Sequence, residues 1–235
     1  MLNFLGIGSA FNTSLGNNSA FIKKHSSMLL IDCGSTVFNR LQTLNLFDDT
    51  SNIYVAVTHT HPDHVGSLGE LIFYSHYALN HKPSLLFPDK SLITSILSNM
   101  GVDKNFYEVI DSKEIHMCDS CISFDISFFP ASHVSSIPSY SLLLYEDSTR
   151  IFYSGDSNEV LSIMLEKLQN SEIDLFYQDT CGLDYEGNPH LHLGKLANII
   201  KPELRHKVYC MHIDQKFSRE EALNLGFNVV KAVDF

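Results

Sequence analysis

The stretch THTHPDHVGS, residues 58–67, places metal-binding side chains at positions 59, 61, 63 and 64. Packing rewards no such spacing: a buried helix face recurs every three or four residues and a buried strand face every two. The run before it, IYVAVTH at residues 53–59, is β-branched and apolar, as a buried strand is. In extended backbone His59 and His61 point the same way and can share one metal. Pro62 ends the extension, and Asp63 and His64 then turn in another direction at the start of a helix, where they can hold a second ion. Imidazole and carboxylate donors without thiolate suit zinc and tolerate manganese or iron.

A two-metal site needs further donors, and the chain has candidates just after strands. His133 follows CISFDISFFPAS, Asp156 follows RIFYSG and His212 follows KVYCM. Taken singly, each is better explained as a cap or a satisfied core group. Together with HTHPDH they make five histidines and two aspartates, enough for two ions with open positions for water and substrate.

The rest of the chain reads as short strands and helices. LNFLGIG, SAFIKK and SMLLIDCG are apolar runs divided by the turn signals SLGNNS and HSS, and TVFNRLQTL follows with helical spacing. A helical pattern runs from Val65 to Leu79. CISFDISFFP alternates, YSLLLYED and TRIFYSGD suggest a hairpin across the DS turn, and a helix around 158–169 leads into IDLFYQD. Helices near 194–200 and 218–225 flank the strand KVYCMH, and FNVVKAV closes the series. Two sheets packed face to face with helices outside, a four-layer α/β arrangement, fit this order. One domain over residues 1–235 is expected, since the chain shows no linker or repeat.

At 44% hydrophobic and 18% charged residues the composition is that of an ordinary globular protein, and no apolar run approaches a membrane span. The apolar start lacks a basic segment, so a cytoplasmic protein is expected. Five scattered cysteines argue against a disulfide framework, and the single CxxC, Cys118 and Cys121, lacks the second pair of a zinc ribbon. The formal charge of −11 disfavours a long nucleic acid and favours a small substrate.

HTHPDH resembles the HxHxDH signature of the metallo-β-lactamase superfamily, and His133, the SGD ending at Asp156 and the strand-final His212 follow in that family's order. FLGIGSAF, NNSAFI and LLIDCGSTVFNRL resemble the opening of its tRNase Z-like branch. The resemblance covers essentially the whole chain and implies an αββα metallo-β-lactamase sandwich with two zinc ions, manganese being an acceptable substitute. One ion would be held by His59, His61 and His133, the other by Asp63, His64 and His212, with Asp156 bridging. Asp32 matches a motif aspartate that orients a ligand from behind; a strand-end cap is the equal alternative.

Two such ions can hold a bridging hydroxide at neutral pH, so hydrolysis is the implied reaction. The metals alone do not choose among phosphodiester, β-lactam, thioester and ester. The family's β-lactamases carry Cys where this chain has Asp156. Glyoxalase II enzymes continue DHxGG where this chain has DHVGS. Flavodiiron proteins carry HxExD. FYQDTCG and NPHLHLG resemble the branch's pair that protonates a leaving oxygen, which makes Asp179 and His190 catalytic candidates beside Asp63, with His192 a helix cap. Here the family's Glu is Asp, and the loop between the pair is shorter.

The branch's tRNA-gripping basic arm is absent, and the compact chain is similar to phage anti-Pycsar phosphodiesterases, which destroy cyclic-nucleotide immune signals. The expected activity is hydrolysis of 3′,5′-cyclic mononucleotides. The alternatives are a tRNase Z-like nuclease acting on RNA 3′ ends and a metalloprotein that sequesters a ligand without cleaving it. Ser136, Pro138, Ser139 and Tyr140 are either ligand contacts or plain loop and strand residues. A homodimer is implied by the branch, with the aromatic run Phe73, Tyr74, His76 and Tyr77 either its face or helix packing.

Overall fold

The computed structural model describes residues 1–233. The first half holds β1 (Asn3–Gly6), β2 (Ser19–Lys24), β3 (Ser27–Ile31), α1 (Val37–Thr43), β4 (Asn52–Ala56), α2 (Pro62–Val65), α3 (Leu68–Tyr77), β5 (Ser84–Leu86), α4 (Lys90–Asn99) and β6 (Glu108–Ile110). The second holds β7 (Glu114–Cys118), β8 (Ser123–Pro130), β9 (Tyr140–Glu146), β10 (Thr149–Tyr153), α5 (Ser162–Gln169), β11 (Leu175–Asp179), α6 (Leu193–Ile199), β12 (Val208–Met211), α7 (Arg219–Asn224) and β13 (Asn228–Val229).

The strands form two sheets. The first runs in the order β1 to β6, antiparallel through β3 and parallel from β3 onward. The second runs β13-β12-β11-β10-β9-β8-β7, with antiparallel β7 to β10 and parallel β10 to β13. The chain passes from one sheet to the other between β6 and β7, both edge strands.

Side-chain alternation explains the layers. In β3, Met28 and Leu30 pack with Val37, Leu41, Leu68, Leu71, Ile93 and Leu97 of the helices outside the first sheet. Leu29 and Ile31 face the other way, into a core shared with Phe124, Ile126, Phe128, Leu142 and Leu144 of the second sheet. Strand β4 repeats the pattern, with Ile53 and Val55 outward and Tyr54 and Ala56 inward. The same inner core continues to Met164 and Leu168 of α5 and Leu193 and Leu196 of α6. Truncating a fully buried leucine in such a core costs about 2–5 kcal/mol.

The helical run from Val65 to Leu79 is in fact two helices. The break lies at Gly66 and Ser67, because Ser67 is bonded elsewhere: its hydroxyl donates to the Gly34 carbonyl at 2.6 Å and accepts the Phe38 N–H at 3.1 Å. That bend docks the HTHPDH segment on the turn after β3. Four elements between residues 84 and 118, β5, α4, β6 and β7, have no counterpart in the sequence reading. Three are strands of five residues or fewer, too short for periodicity to show. The five cysteines are free, and no helix among the described residues is long and apolar enough to cross a membrane.

Candidate metal centre

The strands β3, β4, β8, β10, β11 and β12 all end at one rim of the sandwich, as the parallel registers and the antiparallel pairs β8–β9 and β9–β10 require. Asp32, the HTHPDH segment, His133, Asp156, Asp179 and His212 lie at those ends. This is where open α/β sheets place their ligands.

Side chains converge there in three groups that share Asp156; the third joins it to Asp179, His190 and His212, and the first two hold the sequence-selected donors. In the first, His59 Nε2 lies 3.1 Å from His61 Nδ1, and His133 Nε2 lies 3.3 Å from the same His61 atom. Asp156 Oδ2 stands 3.7 Å from His59 Nε2 and 3.8 Å from His133 Nε2. In the second, His64 Nε2 lies 3.3 Å from Asp63 Oδ2 and 3.2 Å from Asp156 Oδ1. His212 Nε2 is 3.4 Å from each of those oxygens. Four donors at zinc bonding distance in a tetrahedron stand about 3.3–3.4 Å apart. The second group has those edges, and the first is slightly wider.

The unused atoms support the same reading. His64 Nε2 and Asp156 Oδ1 are buried without a hydrogen-bond partner, a costly arrangement unless something else fills the gap. Two outer ring nitrogens are occupied, while His212 Nδ1 is buried without a hydrogen-bond partner. His64 Nδ1–H donates to Asp32 Oδ2 at 2.8 Å, and His133 Nδ1–H donates to the Pro189 carbonyl at 3.2 Å. Each bond leaves Nε2 with its lone pair facing inward.

Asp32 therefore holds His64, a candidate ligand, from behind. Its fully buried carboxylate also accepts the Thr58 N–H at 2.7 Å and the Thr58 hydroxyl at 2.8 Å. Asp32 has φ 62° and His212 φ 54°, left-handed values that Asp and His adopt more readily than most side chains. Gly34 has no alternative residue: a Cβ there would stand 1.9 Å from the Asp63 carbonyl oxygen.

Charge within the cluster is balanced by protons. Burial opposes ionisation of His212, but Asp156 and Asp179 outweigh it and push its pKa up to about 10. Burial likewise opposes charge on His64, and the carboxylates of Asp156, Asp32 and Asp63 overcome it. Burial holds His59 well below the ordinary value, with His64 adding to the shift. Positive charge is thus drawn to the spots ringed by carboxylates, where cations would displace the protons.

Beside the donors, His190 Nδ1–H donates to Asp179 Oδ2 at 2.7 Å. Asp179 is also held by the Ser157 N–H at 3.0 Å, and its Oδ1 lies 3.4 Å from His212 Nδ1. For His190, burial lowers the pKa, yet the charge and hydrogen bond of Asp179 together raise it above the ordinary value. His192 is the cap expected of it, accepting the Gly194 N–H at 3.2 Å.

A cavity of about 550 Å³ opens onto His61, Asp63, His133, Asp156, His190 and His212. No Lys or Arg lines it among the described residues. Val134 reaches it, whereas Ser136, Pro138, Ser139 and Tyr140 do not. Tyr140 instead packs edge-on against Phe87 and Phe128 and donates its N–H to the Thr58 carbonyl at 3.0 Å. In the aromatic run of α3, His76 stacks on Phe106 at 3.7 Å between ring centres, and Tyr77 is exposed.

Sequence reasoning passed over three residues here. Asn18, inside a segment taken for a turn signal, accepts the His212 N–H at 3.2 Å through Oδ1 and donates to the Tyr153 hydroxyl at 2.8 Å through Nδ2. Its neighbour Asn17 exchanges hydrogen bonds with Thr36. Thr58 ties Asp32 to the metal segment. The doubled Asn was the available signal, since two amides in a row are more than a turn needs.

Comparison with known proteins agrees with the geometry. A family model described as "Anti-Pycsar protein Apyc1" matches residues 1–232. A protein of that description from Paenibacillus harenae is 29% identical over 225 residues, covering 90% of this chain and 88% of its own. Among solved structures, the metallo-β-lactamase-fold protein YhfI from Bacillus subtilis aligns with a TM-score of 0.77 at 16% identity, covering 99% of this chain and 97% of its own. The short form of human tRNase Z aligns with a TM-score of 0.66 at 19% identity, covering 100% and 96% respectively. The four-layer metallo-β-lactamase sandwich is therefore the fold of this chain.

Proposed function

The chain belongs to the Anti-Pycsar protein Apyc1 family, and from that premise we propose that it is a metal-dependent phosphodiesterase cleaving 3′,5′-cyclic mononucleotides to linear monophosphates, so countering cyclic-nucleotide immune signalling. The observation that carries this reading is the pair of donor groups sharing Asp156, set beside the His190–Asp179 pair at the floor of one cavity.

In this reading His59, His61 and His133 hold one zinc ion, Asp63, His64 and His212 hold the other, and Asp156 serves both; manganese suits the same donors. Bound there, the two ions would supply a nucleophile at neutral pH and polarise the phosphoryl oxygens. The chain's own residues do the rest. Asp179, fixed by the Ser157 N–H, accepts the Nδ1–H of His190 and favours its doubly protonated form, which also carries a proton on Nε2. The raised pKa of His190 keeps that proton available near neutral pH. His190 then delivers it from Nε2 to the departing ribose oxygen, a poor leaving group without it. Asp32 and Asn18 act earlier, holding His64 and His212 in register.

The cavity lining bears on substrate size. A polynucleotide would need a basic track beyond the reacting phosphate, and no Lys or Arg among the described residues lines the cavity. The net charge of −11 points the same way. We further propose a single domain acting as a homodimer, an expectation taken from the branch and tested by sedimentation.

The deciding experiment offers zinc- or manganese-loaded protein a panel of 3′,5′-cyclic mononucleotides and a 3′-extended precursor tRNA. Linear monophosphates with intact tRNA are the expected products. Trimmed tRNA with untouched cyclic nucleotides would overturn the small-substrate reading. Tight binding with no product from either would favour sequestration.

A further inference from the structure

One wall of the cavity takes no part in the chemistry above. Phe11, on the loop between β1 and β2, lines the cavity together with His61, Asp63 and His190, yet is 89% exposed. A phenyl ring held in water at the mouth of a site forgoes the burial its apolar surface would gain.

The loop that carries it is fastened. Ser9 N–H donates to the Ile213 carbonyl at 3.1 Å, and the Asn12 amide donates to the same oxygen at 3.1 Å. The Gln215 amide donates to Phe11's own carbonyl at 3.1 Å. Ile213 directly follows His212, so the loop is anchored on the same backbone that carries a metal-binding candidate. The other walls offer Pro62, Val134 and Pro189, which add apolar surface, and small polar groups such as Thr13 and Asn17. Beyond the histidines and aspartates of the candidate metal centre and its neighbour His190, no charged side chain among the described residues lines this cavity.

We infer that Phe11 is the stacking platform for the nucleobase of the substrate, selecting by the face of the base and not by its edge. The inference rests on the phosphodiesterase reading: a phosphate at the donor cluster sends the remainder of a nucleotide towards the mouth where Phe11 stands. Stacking tolerates any base, because every base has a π-face, so discrimination among cyclic nucleotides is weak.

Two measurements test this. The first compares kcat/KM for cyclic AMP with that for base-free ribose 3′,5′-cyclic phosphate. Phe11→Ala lowers the ratio of the two about tenfold, mainly through KM for cyclic AMP, and Phe11→Trp restores it. An unchanged ratio, whether both values hold or both fall together, overturns the inference.

The second titrates metal-loaded protein with a hydrolysis-resistant phosphorothioate of 2-aminopurine riboside 3′,5′-cyclic phosphate, whose fluorescence falls on stacking. Quenching by the native chain and Phe11→Trp, but not by Phe11→Ala, supports the platform even where no cyclic nucleotide is cleaved. Quenching equal in all three overturns it, and leaves the phosphodiesterase reading intact where turnover is seen.

Discussion

At the scale of single residues, His190 and Asp32 separate chemistry from support. Removing a general acid costs a rate factor of about 10²–10⁴ when the leaving group is an alkoxide. His190→Ala should therefore lose about that much kcat on cyclic nucleotides and far less on a p-nitrophenyl phosphodiester, whose leaving group needs no proton. Equal losses on both would remove His190 from the acid's role. Asp32→Asn should act through His64, weakening one metal equivalent by about 10–100-fold in a chelator competition. Asp63→Ala should lose that equivalent and most activity while circular dichroism stays native; full activity would exclude a two-metal mechanism.

The convergence of these side chains was legible because HTHPDH has no packing explanation and the later candidates stand just after strands. Asn18, Thr58 and Phe11 were not. The places of Asn18 and of the loop carrying Phe11 are set by His212, Ile213 and Gln215, which adjoin them only once both sheets are formed, and that of Thr58 by Asp32 at the end of the neighbouring strand.

At the scale of elements, the docking of α2 on the turn after β3 leaves no room for a side chain at Gly34. Gly34→Ala should push the Asp63 backbone away, destabilise the fold by about 1–3 kcal/mol in denaturant titration and loosen metal binding. A second contact holds the start of β4, where the Ile53 N–H donates to His81 Nε2 at 3.0 Å. Burial keeps the pKa of His81 below its ordinary value. The unfolded chain then binds a proton near pH 6.5 that the folded chain still refuses. The stability linked to His81 is complete above that pH and declines as pH falls below it. His81→Gln, which cannot titrate, should flatten the pH dependence of the denaturation midpoint below about pH 6.5. Long elements such as the hairpin across Asp147–Ser148 were legible from alternation alone. The three-residue strands β5 and β6 were not, because their place is set by neighbours in the sheet.

At the scale of the whole molecule, the candidate metal centre draws its side chains from the ends of strands in both sheets. Without cations it keeps Asp32, Asp63, Asp156 and Asp179 close together and buried. Saturating zinc should raise the melting temperature above that of chelated protein, the stabilisation reaching about 4 kcal/mol at a thousandfold excess over Kd. Asp63→Ala should show a smaller rise.

The two sheets are joined covalently in the inner chain only by the short passage from β6 to β7. His59, His61, Asp63 and His64 precede it; His133, Asp156 and His212 follow. A chain cut at residue 112 would thus be two inert pieces, each with an incomplete set of donors for either ion. Co-expressed, they should reassemble into an active whole that chelator pulls apart on an affinity column, making the enzyme a natural two-part switch with the metal as its clasp.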